Sequence, residues 1–111
     1  MLNNIIQFKG SKEDLKSAIE SHNGLTVLDM STQWCGSCRR LAMLLPKIAA
    51  ENTDVLFLKV DVEDNPELKE YYKIDQIPVI NFCKNDKGLE PIKTLVGLNV
   101  PAIKENITSL K

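Results

Sequence analysis

Trp34-Cys35-Gly36-Ser37-Cys38 stands between the run Leu25-Thr26-Val27-Leu28-Asp29-Met30 and a long helical pattern. The run is almost continuously apolar, as in a strand of a parallel sheet covered on both faces. Its exception is Asp29. Beyond the cysteines, Leu41, Leu44, Leu45 and Ile48 recur at i, i+3, i+4 and i+7, one face of a helix running to about Glu51. Two thiols three residues apart at the head of that helix share one side, a turn apart, with Cα atoms about 5–6 Å from each other, within disulfide range. Cys35 at the N-cap meets unpaired N–H groups and the positive end of the helix dipole, which favours its thiolate, the nucleophilic form. Cys38, one turn in, is expected to be more buried and less acidic. The expected chemistry is thiol–disulfide exchange: Cys35 attacks a substrate disulfide, and Cys38 then displaces the reduced substrate. The alternatives are an inert pair or half a zinc site. Zinc takes about four ligands, and only Cys83 and the lone His22 remain, in no second paired unit. No metal is therefore expected.

Outward from this stretch, strands and helices alternate. Asn4–Phe8 is a strand candidate. Ser11 caps a helix with Glu13 and Asp14 in its first turn and Leu15, Ala18 and Ile19 inward, stopped at Asn23-Gly24. Val55–Val62 is a third strand. Asn65-Pro66 opens a short helix with Leu68, Tyr71 and Tyr72 on its apolar face. Val79–Cys83 and Ile92–Val96, joined through Asn85-Asp86-Lys87-Gly88, form an antiparallel hairpin expected to supply the sheet's antiparallel edges. Gly97 breaks the pattern, and Asn99 caps a last helix with Ile103, Ile107 and Leu110 inward. Pro46 lies within the second helix, where it removes a backbone bond and is expected to kink it. The order β-α-β-α-β-(α)-β-β-α predicts an α/β fold with a mixed central sheet and helices on both faces.

The chain has 111 residues, 43% hydrophobic and 26% charged, with net charge −1. That suits one domain, residues 1–111, with its own core. Lysines and arginines are scattered, so neither nucleic acid nor an anionic membrane is the expected partner. No stretch approaches the roughly 20 apolar residues of a membrane span. Met1-Leu2-Asn3-Asn4-Ile5-Ile6-Gln7 carries no basic, then apolar, secretory pattern. Three cysteines, a close pair and an outlier, fit a reducing compartment better than a disulfide framework, so a cytoplasmic location is expected.

Trp34-Cys35-Gly36-Ser37-Cys38 after Val27-Leu28-Asp29, with Ile77-Pro78 downstream and Gly97 before the last helix, resembles the thioredoxin family over nearly the whole chain. The resemblance implies the thioredoxin fold, five strands flanked by about four helices. It implies no bound cofactor, with electrons arriving from NADPH through thioredoxin reductase. It also implies disulfide substrates such as peroxiredoxins, ribonucleotide reductase and methionine sulfoxide reductases, and a monomer. Asp29 matches the family's buried aspartate, which helps deprotonate the resolving cysteine, here Cys38, through water. An acid in a buried strand should have a raised pKa. Lys59 matches a lysine near that aspartate. Pro78 matches the cis-proline facing the dithiol, leaving the backbone of Ile77 open to pair with an incoming chain. Trp34, Gly36, Ser37, Ile77, Pro78 and Gly97 would form the docking surface.

The chain departs from the family at several places. Ser37 replaces the usual proline between the cysteines, which predicts a changed thiol pKa and a less reducing couple. Met30-Ser31-Thr32 replaces the usual aromatic, small stretch. Met43 stands where the helix-kink proline is usual, with Pro46 a turn later. Arg39 and Arg40 double the usual single base. Cys83 is read as a buried, inert thiol, with a regulatory thiol or dimer link as the alternative. Besides a general protein-disulfide reductant, two other functions are compatible: a more oxidising disulfide isomerase, and a scaffold module with its redox chemistry idle.

Overall fold

The computed structural model describes residues 3–111. Met1 and Leu2, part of the stretch read for a secretory pattern, lie outside them. The elements are β1 (Ile5–Gln7), α1 (Lys12–Ser21), β2 (Leu25–Ser31), α2 (Gly36–Ala50), β3 (Leu56–Asp61), α3 (Pro66–Tyr71), β4 (Val79–Lys84), β5 (Lys93–Val96) and α4 (Val100–Leu110). The strands form one sheet in the order β1-β3-β2-β4-β5. β3 runs parallel to β1 and β2, while β4 is antiparallel to β2 and β5. This is the α/β order expected from the sequence, with one correction. The hairpin does not simply line the edge: β4 is an interior strand, and of the two hairpin strands β5 alone is at an edge, with β1 at the other. Val79–Cys83 is buried throughout, so a partner strand on each side satisfies its backbone as well as its side chains.

The helix starts follow their sequence signals. At Ser11 the hydroxyl accepts from the Asp14 N–H (3.1 Å) and the Asp14 carboxylate accepts from the Ser11 N–H (2.9 Å), a capping box. Asn65 accepts from the Leu68 N–H and Asn99 from the Ala102 N–H. α2 continues through Pro46 to Ala50.

Period-two alternation sorts the core onto the two sheet faces. Leu28, Met30, Leu58, Val60 and Cys83 pack with Leu15 and Ile19 of α1 and Leu68 of α3. Leu25, Val27, Phe57, Ile80 and Phe82 pack with Leu41, Leu45 and Ile48 of α2 and Ile103 and Ile107 of α4. Asp29, two residues on from Val27, therefore belongs to the face under α2. Cys83, fully buried, belongs to the opposite face with Asn81. Its thiol is pushed up to about 12 by burial.

One polar side chain locks this frame. The Asn4 amide donates to the carbonyls of Ala49 (3.0 Å), Asn52 (2.9 Å) and Val55 (2.9 Å), tying the N-terminal strand to the α2–β3 connection. The Ala49 and Asn52 carbonyls also accept the Asn52 and Val55 N–H groups, so Asn4→Ala removes the Val55 carbonyl's side-chain donor and loosens the other two. It should cost about 1–3 kcal/mol in urea unfolding, with the dithiol chemistry unchanged.

Candidate active site

The apolar strand β2 delivers the chain to the C-terminal end of the parallel strands, where α2 begins. Cys35 is the N-cap of α2, and its Sγ accepts the Cys38 N–H at 3.2 Å. The sulfur thus replaces the oxygen of an ordinary capping residue. Ser37 Oγ lies 3.4 Å from Cys35 Sγ, and the Ile77 carbonyl oxygen 3.9 Å from it. The thiols are free and unequal. Burial pulls the Cys35 thiol up, but hydrogen bonds from the Cys38 thiol, the Ser37 hydroxyl and the Cys38 and Ser37 backbones outweigh it and hold the thiol below its ordinary value. Cys38 is pushed up to about 12 by burial first, then by its hydrogen bond to Cys35 and the charges of Cys35 and Asp29, against the Thr32 backbone. The side chains follow suit: Cys35 is 8% exposed and Cys38 3%. A turn of helix therefore separates a sulfur ready to ionise from one that holds its proton.

Asp29 lies on the sheet face beneath α2, 2% exposed. Neither of its carboxylate oxygens has a hydrogen-bond partner. Burial raises its pKa to about 6, opposed in part by Lys59. Lys59 is its register partner on β3 and is half-buried, so the lysine read from the sequence does stand beside the aspartate.

Across the dithiol, the Ile77–Pro78 peptide is cis, and the Gly97 N–H donates to the Pro78 carbonyl at 2.8 Å. Gly97 has φ +87°, a conformation that suits glycine. Trp34 is 65% exposed, which excludes a core role. Gly36 is exposed, Ser37, Ile77 and Gly97 are half-buried, and Pro78 is buried beneath them. The structure thus brings together every site residue singled out from the sequence, and leaves Cys83 on the far face of the sheet.

Three further residues were not singled out. Glu63 accepts the Trp34 indole N–H, a pairing across 29 positions that no local pattern announces. Val96, 57% exposed beside Gly97, extends the apolar rim. Thr32 is 6% exposed, with a hydroxyl that has no partner. Among the described residues no three His, Cys, Asp or Glu side chains converge as a metal site, and no helix is long and apolar enough to cross a membrane.

Known proteins share both the sequence and this geometry. The thioredoxin family model matches residues 7–109. The chain is 34% identical to thioredoxin of Geodia cydonium over 108 residues, 96% of this chain and 100% of that protein. It superposes on the structure of Trichomonas vaginalis thioredoxin with a TM-score of 0.91 at 37% identity, covering 97% of this chain and 98% of that one. For Fasciola hepatica thioredoxin the TM-score is 0.86 at 32% identity, over 96% of this chain and 100% of that chain. With a dithiol capping α2, a buried acid beneath it and a match of this extent, the chain belongs to the thioredoxin family: it is a thiol–disulfide oxidoreductase with Cys35 and Cys38 positioned as the redox-active pair.

Proposed function

We propose that the chain is a general reductant of protein disulfides. In this reading Cys35 is the nucleophile and Cys38 the resolving thiol. Asp29 is the buried acid/base that takes the Cys38 proton, and Lys59 supports its charge. The observation that carries the reading is the opposed displacement of the two thiols, Cys35 downward and Cys38 to about 12. A lone thiolate commits the first attack to Cys35, and a proton held on Cys38 delays resolution until the mixed disulfide exists.

Trp34, Gly36, Ser37, Ile77, Pro78 and Gly97 form the docking surface. The carbonyl of Ile77, near the attacking sulfur, is placed to take a hydrogen bond from an extended substrate segment. The protein binds no cofactor of its own. NADPH supplies electrons through a thioredoxin reductase, and peroxiredoxins, ribonucleotide reductase and methionine sulfoxide reductases are the substrate types in view. Residues 1–111 act as a monomeric single domain in the cytoplasm, without nucleic-acid or membrane partners. The test is insulin-disulfide reduction with NADPH and a thioredoxin reductase. Turnover linear in protein concentration is expected, and its absence would remove the reductant reading in favour of a scaffold.

The contact between Ser37 Oγ and Cys35 Sγ bears on the oxidising alternative. A hydroxyl that stabilises the thiolate stabilises the reduced state and makes the couple less reducing. Ser37→Pro removes that hydroxyl and the Ser37 N–H, both of which support the thiolate. It should raise the Cys35 pKa and move the potential about 10–30 mV more negative, since one pKa unit corresponds to about 30 mV in a two-electron couple. Equilibration against glutathione measures it. An unchanged potential would show that Ser37 does not set it.

A further inference from the structure

A cavity of about 420 Å³ lies against α2 on the side of Cys38, and Cys35 is not in its wall. Trp34, Ile77, Pro78 and Gly97 do not line it either, so it is separate from the docking surface. Its wall carries three cations, Lys9, Arg39 and Lys59, and two carboxylates, Asp61 and Asp64. Charges of both signs share the wall, yet none is paired: among the described residues the ion pair within 4 Å is Lys111–Asp54, at 3.2 Å. Thr32 also lines the cavity, with its buried hydroxyl unpartnered. The volume falls within the usual range for small-molecule sites.

We propose that this cavity binds a small acidic zwitterion of the amino-acid type, bearing two carboxylates and one ammonium group, and that its occupancy slows the dithiol reaction. Three wall cations meet the two carboxylates, and two wall carboxylates meet the ammonium. The wall's net charge of one positive balances the ligand's net negative charge. Lys59 belongs to both places, lining the cavity and standing in register beside Asp29. A ligand carboxylate on Lys59 draws its charge away from Asp29 and weakens the support for that carboxylate in its ionised form.

The test uses the full chain and L-glutamate as probe, with glutarate (no ammonium) and 4-aminobutyrate (one carboxylate) as controls at matched ionic strength. Backbone NMR should show saturable shifts at Cys38, Arg39 and Ala42 with glutamate. Both controls should bind about tenfold more weakly, the loss of one charge-assisted contact. Arg39→Gln and Asp64→Asn, both at exposed positions, should each weaken glutamate about tenfold, and the same spectra report that the variants are folded. Glutamate near its wild-type Kd should slow insulin reduction by wild type, and Arg39→Gln should need about tenfold more glutamate for the same slowing. Non-saturating shifts, equal binding of glutarate or undiminished binding by Arg39→Gln overturn the site. Binding that leaves the wild-type rate unchanged overturns the coupling through Lys59.

Discussion

Cys35→Ser should lower insulin-disulfide reduction by at least about 10³-fold, because the attacking group becomes an alcohol that stays protonated at neutral pH. Three features around residue 35 favour an anion on sulfur and outweigh its burial: the Cys38 N–H at 3.2 Å, the Ser37 hydroxyl at 3.4 Å and the start of α2. None of them ionises an alcohol. Cys38→Ser should fail differently. Cys35 still attacks, but no thiol resolves the adduct, so one equivalent of substrate stays bound as a mixed disulfide that dithiothreitol releases. Mass spectrometry before and after reduction distinguishes the two variants. In single-turnover attack on a model disulfide, the pH profile of wild type should rise with the thiolate fraction of Cys35 and level off below the range of an ordinary thiol. Wild-type turnover by Cys35→Ser would remove residue 35 from the mechanism. Adduct formation on Cys38 in that variant would reverse the two roles.

The parts of this site that were legible in the sequence are those whose cause is local. Cysteine spacing fixes the shared helix side, and the helix start fixes which thiol is acidic. An acid inside an apolar strand announces its own burial, as Asp29 does. Cys83 was expected to be buried, and the structure puts it, with Asn81, on the face away from α2. Contacts that depend on register or on loop path were less accessible. Lys59 came from family resemblance, and its standing beside Asp29 needs the parallel β2–β3 register. Glu63, just past β3, meets Trp34, just before α2, a pairing that no residue pattern specifies. The interior position of β4 depends on crossovers made elsewhere in the chain. The nearly continuous apolar run Val79–Cys83, broken at Asn81, was its local sign.

Asp29→Asn should make the protein more stable and a poorer catalyst at neutral pH. Burial holds the Asp29 pKa near 6, against 3.8 for the unperturbed group. Below pH 3.8 the folded and unfolded chains both keep the proton, and Asp29 costs nothing through ionisation. Between 3.8 and 6 the unfolded chain releases it while the folded chain retains it, so stability falls as pH rises. Above 6 the whole penalty is in place, about two pKa units or roughly 3 kcal/mol. Asparagine does not titrate. The variant should therefore match wild type near pH 3.5 and exceed it by up to about 3 kcal/mol at pH 7, with a flat profile through the window where wild type declines. Urea unfolding at a series of pH values measures this, and parallel profiles for the two proteins would show that Asp29 does not carry the pH dependence. The same substitution removes the group proposed to accept the Cys38 proton. Cys38, its pKa still raised by burial, then resolves the mixed disulfide about 10²-fold more slowly, the usual worth of a positioned base. The first attack, which depends on Cys35, should keep its rate. In the proposed mechanism that second step accounts for a destabilising buried carboxylate beneath the dithiol: the charge that weakens the fold above pH 6 is the one that would take a proton there.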